Sequence, residues 1–231
     1  MLKENFTRIQ DEVNQALRKS ERLNNDLRIL AVSKRQSEVK IIQAYDLGQR
    51  DFGENYVQEF LEKQINLESK KLNEIRWHFI GSLQSKKIKQ ILPSTELIHS
   101  VDRVSLVEEI QKRAESIGKL QKILIQVNIS DEPTKSGIKI SEGPGFLKSI
   151  GNFKNISIEG LMTMPPLSED PEQARPYFRR LKELSVEWQK VLGDHHQLRE
   201  LSMGTSGDFG VAIEEGATII RIGSALLGER D

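Results

Sequence analysis

The chain has 231 residues, and 34 Lys and Arg residues balance 34 Asp and Glu residues, so the formal net charge is zero. This balance gives no indication of a nucleic-acid-binding surface or of a basic patch for a membrane. The absence of cysteine excludes disulfides, thiolate nucleophiles and thiolate metal sites. We expect a cytoplasmic protein, because no stretch reaches the about 20 apolar residues of a membrane span and the N-terminus lacks a signal-peptide core.

The first predicted element is a helix over residues 3–27. Its apolar residues recur mostly at spacings of three and four, with charged residues between them. The polar segment 24–26 predicts its end. Because this helix precedes the first predicted strand, we expect it to pack on the domain that follows as an additional element.

Predicted strands and helices alternate over the rest of the chain. The strands cover 29–33, 51–53, 76–81, 96–101, 122–129, 156–164, 200–203 and 217–222. The helices cover 37–47, a segment through 57–65, 84–92, 105–117, a short segment ending near 150, 172–192, a weak segment from 209, and 225–227. Eight alternations predict an α/β protein, a single-domain (β/α)8 TIM barrel over residues 1–231. A doubly wound open sheet is the alternative, but no Gly-rich dinucleotide motif follows the first strand.

The first strand ends in a lysine, Lys34. The apolar run 29–32 before it is typical of a strand buried on both faces. Barrels of parallel strands place their chemistry at the carboxyl ends of the strands. Lys34 is therefore either a surface lysine that closes a strand, or a desolvated amine with a lowered pKa that can form a Schiff base with an aldehyde.

Two loops containing Gly and Ser follow the last two strands, at 202–208 and 222–224. In barrels these two loops and a short helix commonly form a phosphate site, because free backbone N–H groups point at the anion and glycine allows its close approach. Ser206 and Ser224 add hydroxyl donors. The alternative is a pair of ordinary tight turns.

Arg221 lies inside the apolar eighth strand, where a charge is costly unless it is paired. Its partner is either a carboxylate across the barrel mouth or a ring acceptor of a ligand. A lysine, an arginine and a phosphate cup together fit one ligand, pyridoxal 5′-phosphate. Its aldehyde would meet Lys34, its ring nitrogen Arg221, and its phosphate the cup.

Six motifs extend this interpretation: Ala31–Lys34, Phe52–Glu59, Trp77–Gly81, Gly160–Met164, Leu201–Gly204 and Arg221–Gly223. With them the chain resembles, over nearly its full length, the pyridoxal phosphate homeostasis protein family. The resemblance implies a barrel of the alanine racemase N-terminal type that binds the cofactor without an established reaction. Lys86 and Thr205 depart from the family pattern.

The resemblance also assigns roles to residues of the site. It implies that Lys34 forms a covalent aldimine with pyridoxal 5′-phosphate and that Arg221 lies near the pyridine nitrogen. It further implies phosphate contacts at Ser206, Gly223 and Ser224, and ring contacts at Asn55, His78 and Met203. For His78, a satisfied core histidine is the alternative. No metal site is expected, and His195 and His196 are expected at the surface.

Two functions from different classes stay open. The first is a carrier that holds pyridoxal phosphate without robust catalysis and has apo-enzymes as possible partners. The second is a small enzyme of the amino-acid racemase or decarboxylase type. A guanidinium at the pyridine nitrogen weakens the ring as an electron sink, which favours the carrier. Related racemases add a C-terminal β domain, whereas seven residues follow Ser224 here, so we expect a non-catalytic monomer. A barrel that binds another phosphorylated metabolite is a third interpretation.

Overall fold

The computed structural model describes residues 2–23, 27–192 and 196–229. Within these residues, a ring of eight parallel strands forms the centre of the fold. In chain order the strands are β1 (Arg28–Val32), β2 (Asp51–Glu54), β3 (Arg76–Phe79), β4 (Thr95–Val101), β5 (Gln121–Asn128), the short β6 (Ile138–Lys139), β7 (Ile156–Met162), β8 (Glu200–Ser202) and β9 (Ile219–Ile222). The ring closes because β1 pairs with both β2 and β9, and β4 pairs with β5. Only β6 lies outside the ring, where it pairs with the end of β5. The predicted (β/α)8 barrel is confirmed.

The helices that accompany these strands are α1 (Leu2–Lys19), α2 (Glu38–Asp46), α3 (Val57–Ser69), α4 (Ile88–Ile91), α5 (Val104–Ser116), α6 (Gly143–Ile150), α7 (Arg175–Leu192), α8 (Phe209–Glu214) and α9 (Ser224–Leu227). Turns of 3₁₀-helix flank α4 on both sides and precede α7. The helix predicted over 84–92 is therefore a single α-helical turn extended by 3₁₀ turns. None of the described helices combines the length and apolar character that crossing a membrane requires.

The core has two layers, one on each face of the strands. A small inner cluster inside the barrel consists of Leu30, Leu97, Leu124, Met162 and Ile219. A larger outer cluster lies between strands and helices, and its aromatic residues Phe52, Phe60, Trp77 and Phe79 contact one another. Burial of both strand faces explains why the strands read as continuous apolar runs in the sequence.

Helix α1 is shorter than the prediction over 3–27. It ends at Lys19, and Glu21 adopts a φ of 55°, a left-handed conformation that does not continue a helix. Leu23, which extended the apolar period, is 73% exposed. Residues 24–26, the predicted helix end, lie outside the described residues. The helix packs against α8 and α9, and Arg8 donates a hydrogen bond of 2.9 Å to the carbonyl of Ala225.

Candidate functional site

The carboxyl ends of the strands meet at the barrel mouth, where three of the predicted site residues, Lys34, Asn55 and Gly223, leave the strands. Ala31 pairs with Ile222 of β9, and Val32 pairs with Gly53 of β2. Lys34 follows β1 by two residues, Asn55 follows β2 directly, and Gly223 follows β9 directly. Lys34, Asn55 and the Gly223 turn therefore leave three adjacent strands at the same end of the barrel.

Helix α3 holds the backbone of the residues directly before and after Lys34. The Nζ of Lys63 donates to the carbonyl of Ser33 at 2.6 Å, and the backbone N–H of Arg35 donates to the Glu59 carboxylate. Arg35 has a φ of 55°, so the chain turns sharply directly after Lys34. The two contacts fix both peptide neighbours of Lys34, whose own side chain is half-buried.

A buried carboxyl, Glu54, lies behind this segment. Its Oε1 accepts hydrogen bonds from Lys63 at 2.8 Å and from the Ser33 hydroxyl at 2.7 Å, while its Oε2 is buried and has no partner in the parts of the chain that the structure describes. Burial raises the pKa of Glu54, and the nearby Lys63 ammonium opposes this effect. Lys63 also pairs with Glu59 at 2.6 Å, so a single cation serves two carboxylates.

Arg221 lies at the mouth with its guanidinium almost fully buried. Nη1 donates to the hydroxyl of Ser202 at 2.8 Å, and Nη2 donates to the carbonyl of Thr163 at 2.9 Å. No carboxylate of the described residues forms an ion pair with it, so the predicted alternative of a partner carboxylate is not observed there. Burial lowers the pKa of Arg221 to about 10, and the group therefore stays charged at neutral pH.

The loops after β8 and β9 lie at the barrel mouth, where the phosphate cup is predicted. Gly204 has a φ of 89°, and a Cβ there would lie 2.5 Å from the Cβ of Ala212, so this turn requires glycine. The side chain of Asp208 accepts from the Thr205 N–H at 2.6 Å and from its hydroxyl at 3.0 Å. In the described parts of the chain, the backbone N–H groups of Ser206 and Gly207, and of Ser224 and Ala225 at the start of α9, donate to no backbone carbonyl.

Asn55, directly after β2, carries a buried acceptor. Its Oδ1 is buried and has no hydrogen-bond partner among the described residues, an arrangement that a bound ligand would resolve. Gly81 packs directly on Asn55, because a Cβ at Gly81 would lie 2.1 Å from the Asn55 carbonyl oxygen. The glycine that ends the motif Trp77–Gly81 thus lets the loop after β3 support the loop after β2.

Two predicted ring contacts lie deeper. Met203 is fully buried in the outer apolar cluster. His78 is 1% exposed, and both its ring nitrogens are within hydrogen-bond distance of partners, Asp51 and His99. This is the arrangement of a satisfied core histidine, the alternative that the sequence left open. The cofactor contacts of both residues stay predictions.

The expectation that His196 lies at the surface is wrong. Its side chain is buried, with Nε2 at 3.0 Å from the carbonyl of Gly151 and Nδ1 accepting from the N–H of Ile158. It therefore ties the segment after α7 to the start of β7. His195 lies outside the described residues. In the described ranges, no three His, Cys, Asp or Glu side chains are grouped to hold a metal ion.

Sequence reasoning missed the partners of Arg221. Thr163 and Ser202 stand at the ends of β7 and β8, inside motifs already noted, but neither was assigned a contact. His99 was placed in a strand without a role. Its spacing of two residues from the inner-layer Leu97 is the signal that would have placed it inside the barrel.

Comparison with known proteins agrees with this geometry. The model of the family described as alanine racemase, N-terminal domain, matches residues 6–231. The pyridoxal phosphate homeostasis protein of Aquifex aeolicus is 43% identical over 98% of this chain and 97% of its own length. The chain belongs to the pyridoxal phosphate homeostasis protein family.

Solved structures extend this assignment. PipY of Synechococcus elongatus with pyridoxal phosphate bound is 32% identical, with a TM-score of 0.82 over 94% of this chain and 100% of PipY. The alanine racemase of Clostridium difficile is 14% identical, with a TM-score of 0.68 over 96% of this chain and 56% of the racemase. At that identity the racemase shows the shared fold alone. The match thus spans the whole of PipY but about half of the racemase chain.

Proposed function

We propose that this protein binds pyridoxal 5′-phosphate at the barrel mouth as an aldimine with Lys34. We propose further that it holds the cofactor for intracellular homeostasis and does not turn over a substrate. The names of its relatives and the pyridoxal phosphate bound to PipY support this function. The residues at the mouth offer hydrogen-bond donors to the ring nitrogen of this ligand and to its negatively charged phosphate.

The observation that carries the proposal is the buried guanidinium of Arg221. It lacks a carboxylate among the described residues, and its contacts with Ser202 and Thr163 use two of its five N–H donors. A pyridine nitrogen is a neutral acceptor that such a group can serve without an ion pair. The pairing of β9 with β1 places this donor on the strand adjacent to the one that leads to Lys34.

The remaining polar groups of the mouth complete the fit. The backbone N–H groups at Ser206, Gly207, Ser224 and Ala225 suit a phosphate, and the two serine hydroxyls are exposed to receive it. The orphaned Oδ1 of Asn55 offers an acceptor to a hydroxyl or an N–H of the ligand. A neutral metabolite without a phosphate would leave the donors of the cup unused.

Arg221 also supports a carrier over an enzyme. A charged guanidinium donates a proton to a hydrogen bond but does not transfer it, so the ring nitrogen stays unprotonated. The bound cofactor is then a weaker electron sink for carbanion chemistry. A small racemase or decarboxylase is the competing function, and the fold shared with alanine racemase is the observation in its favour.

The test is reduction of the holo-protein with borohydride followed by peptide mapping. We expect a visible absorption band that borohydride removes, and a pyridoxyl group on Lys34. Lys34→Ala should abolish the band and leave the fold intact, because Lys34 lies beyond the end of β1 and is half-buried. Lys135→Ala, in the loop after β5, is the matched control and should keep the band. A label found on another lysine only would refute the assignment.

Delivery needs a separate assay. Holo-protein should activate an apo-enzyme that requires pyridoxal phosphate faster than the cofactor it releases into solution can. If holo-protein and released cofactor activate the apo-enzyme at equal rates in the presence of a trap for free cofactor, the protein stores the cofactor but does not deliver it. A cytoplasmic location and a monomeric state, both expected from the sequence, stay proposals.

A further inference from the structure

A line of buried polar side chains crosses the inside of the barrel and ends at Arg221. His78 Nε2 lies 3.1 Å from Asp51 Oδ1, and His78 Nδ1 lies 2.9 Å from His99 Nε2. His99 Nδ1 lies 2.9 Å from the Ser202 hydroxyl, which accepts from Arg221 Nη1 at 2.8 Å. Five side chains from β2, β3, β4, β8 and β9 are thus joined by four consecutive hydrogen bonds.

This line of hydrogen bonds begins at the opposite end of the barrel from the candidate site. Asp51 is the first residue of β2, and Arg76, the first residue of β3, donates to both of its carboxylate oxygens at 2.8 and 2.6 Å. Half of the Arg76 side chain is exposed, whereas the His78, His99 and Ser202 side chains have at most 1% exposure. A charge at the amino-end face is therefore connected to the mouth through buried side chains.

The two end groups of this line of hydrogen bonds determine which atom donates and which accepts in each bond. A carboxylate only accepts hydrogen bonds, and a guanidinium only donates them. A neutral His78 must then carry its proton on Nε2, which makes its Nδ1 an acceptor. His99 must donate from Nε2 and accept at Nδ1 from the Ser202 hydroxyl, whose lone pair receives Arg221. Every donor meets an acceptor in this single arrangement, with both histidines neutral.

The buried environment of His78 and His99 favours the neutral form of both imidazole rings. Burial lowers the pKa of His78 and lowers that of His99 well below its ordinary value. Burial alone would raise the pKa of Asp51, but hydrogen bonds from Arg76 and His78 outweigh it and hold that pKa far below its usual range. The carboxylate that anchors the direction is thus ionised at neutral pH.

We propose that Asp51, His78 and His99 are positioning residues for the cofactor site, because through Ser202 they fix the guanidinium of Arg221 where it can donate to the ring acceptor of the ligand. The inference rests on the proposed function, since it assigns these residues to the same site. A buried guanidinium whose partners could rotate or change tautomer would point its free N–H groups in more than one direction. The line of hydrogen bonds, with its single donor–acceptor arrangement, removes that freedom before the ligand binds.

The first arm of the test uses the apo-protein and needs no cofactor. Two-bond ¹H–¹⁵N correlations of the four histidines, assigned by single substitutions, report which nitrogen of each ring carries the proton. We expect His78 and His99 to be neutral and protonated on Nε2 at pH 7. A proton on Nδ1 of either ring, or a doubly protonated ring, would overturn the proposal whatever the protein binds.

The second arm compares pyridoxal 5′-phosphate affinity among three variants whose cooperative unfolding shows that they are folded. Ser202→Ala removes the acceptor of Arg221, and Asp51→Ala removes the distant anchor. Each should weaken binding by about tenfold, the equivalent of one net hydrogen bond. Thr95→Val is the matched control, because Thr95 is buried on the same strand as His99 and donates only to the carbonyl of Ile91, at 2.7 Å. It should change affinity by less than about twofold.

The outcomes separate this inference from the proposed function. If the wild type binds no pyridoxal phosphate, the proposed function fails, and the inference fails with it even if the tautomers are as expected. If the wild type binds it and Asp51→Ala matches Thr95→Val in affinity, the positioning role fails alone. Should Asp51→Ala not fold, Ser202→Ala and the tautomers of the wild type decide the matter.

Discussion

Ser206 and Ser224 offer two exposed hydroxyls at the edge of the proposed phosphate cup. Each should donate to a charged oxygen, so Ser206→Ala or Ser224→Ala should weaken binding of pyridoxal 5′-phosphate by about 1.5–3 kcal/mol. Binding should survive each single change, because the backbone N–H groups of the two loops remain. Equilibrium titration followed by absorbance measures the effect.

Two comparisons make this prediction specific. Ser116→Ala is a matched control, since Ser116 is exposed and donates to the carbonyl of Arg113, at the end of α5. Pyridoxal, which lacks the phosphate, should bind much more weakly than the phosphorylated form and should be insensitive to both serine substitutions. Equal affinity for the two ligands would show that the loops are ordinary turns.

Single residues of the site differed in how far the sequence revealed them. Lys34 and Arg221 could be singled out because a charge at the end of an apolar strand, or inside one, needs a reason. The contact between His78 and His99 could not, because it depends on the register between β3 and β4, which shifts next to His78. The link from His99 to Ser202 joins positions 103 residues apart and exists only once the barrel has closed.

At the scale of elements, periodicity predicted the existence of strands and helices better than their ends. The apolar period of α1 continues to Leu23, but the helix ends at Lys19 because Glu21 adopts a left-handed backbone conformation. No residue type in that stretch predicts this conformation. The short strand β6 was not predicted, since two residues carry no period. The long strand β5 was predicted within one residue, because most of its residues are apolar and buried.

Helix α3 gives a prediction about the element that supports Lys34. Lys63→Met should destabilise the protein by about 3–5 kcal/mol, because it leaves the Glu54 carboxyl buried without its cation. It should also weaken cofactor binding, since the carbonyl of Ser33 loses the group that holds it. Urea unfolding and the visible band measure the two effects.

The control for this variant lies directly after the same helix. Lys70→Met removes a half-exposed ion pair with Glu38 and should cost less than about 1 kcal/mol. Lys63→Met with the stability and cofactor affinity of Lys70→Met would contradict the role given to α3.

For the whole molecule, the buried histidines predict how stability depends on pH. Burial lowers the pKa of His78 and His99 in the folded state, while in the unfolded chain their pKa is about 6.5. Below that value the unfolded state binds more protons, so the free energy of unfolding falls as pH falls. Each histidine should contribute a loss of about 1 kcal/mol between pH 7 and 5.5. The raised pKa of Glu54 acts in the opposite direction and offsets part of the loss.

Urea unfolding of the apo-protein at the two pH values measures this loss, and substitutions assign it. His99→Phe should reduce the difference between pH 7 and 5.5 by about half, whatever its effect on stability at pH 7. A fall of the same size in His99→Phe as in the wild type would show that other groups cause it.

The last prediction distinguishes a carrier from an enzyme, again for the whole molecule. With Arg221 charged and donating to the ring nitrogen, the bound cofactor should be a poor electron sink, so the α-protons of added amino acids should exchange with solvent deuterium far more slowly than enzymes turn over, about 1–10³ per second. NMR across a panel of amino acids in D₂O measures that exchange on the holo-protein, and Lys34→Ala gives the background. Exchange within the enzymatic range for any amino acid, lost in Lys34→Ala, would replace the carrier by a small pyridoxal enzyme. If Arg221→Glu then accelerates a slow wild-type exchange, the guanidinium itself keeps the cofactor inactive, since a carboxylate facing the ring nitrogen favours its protonated form.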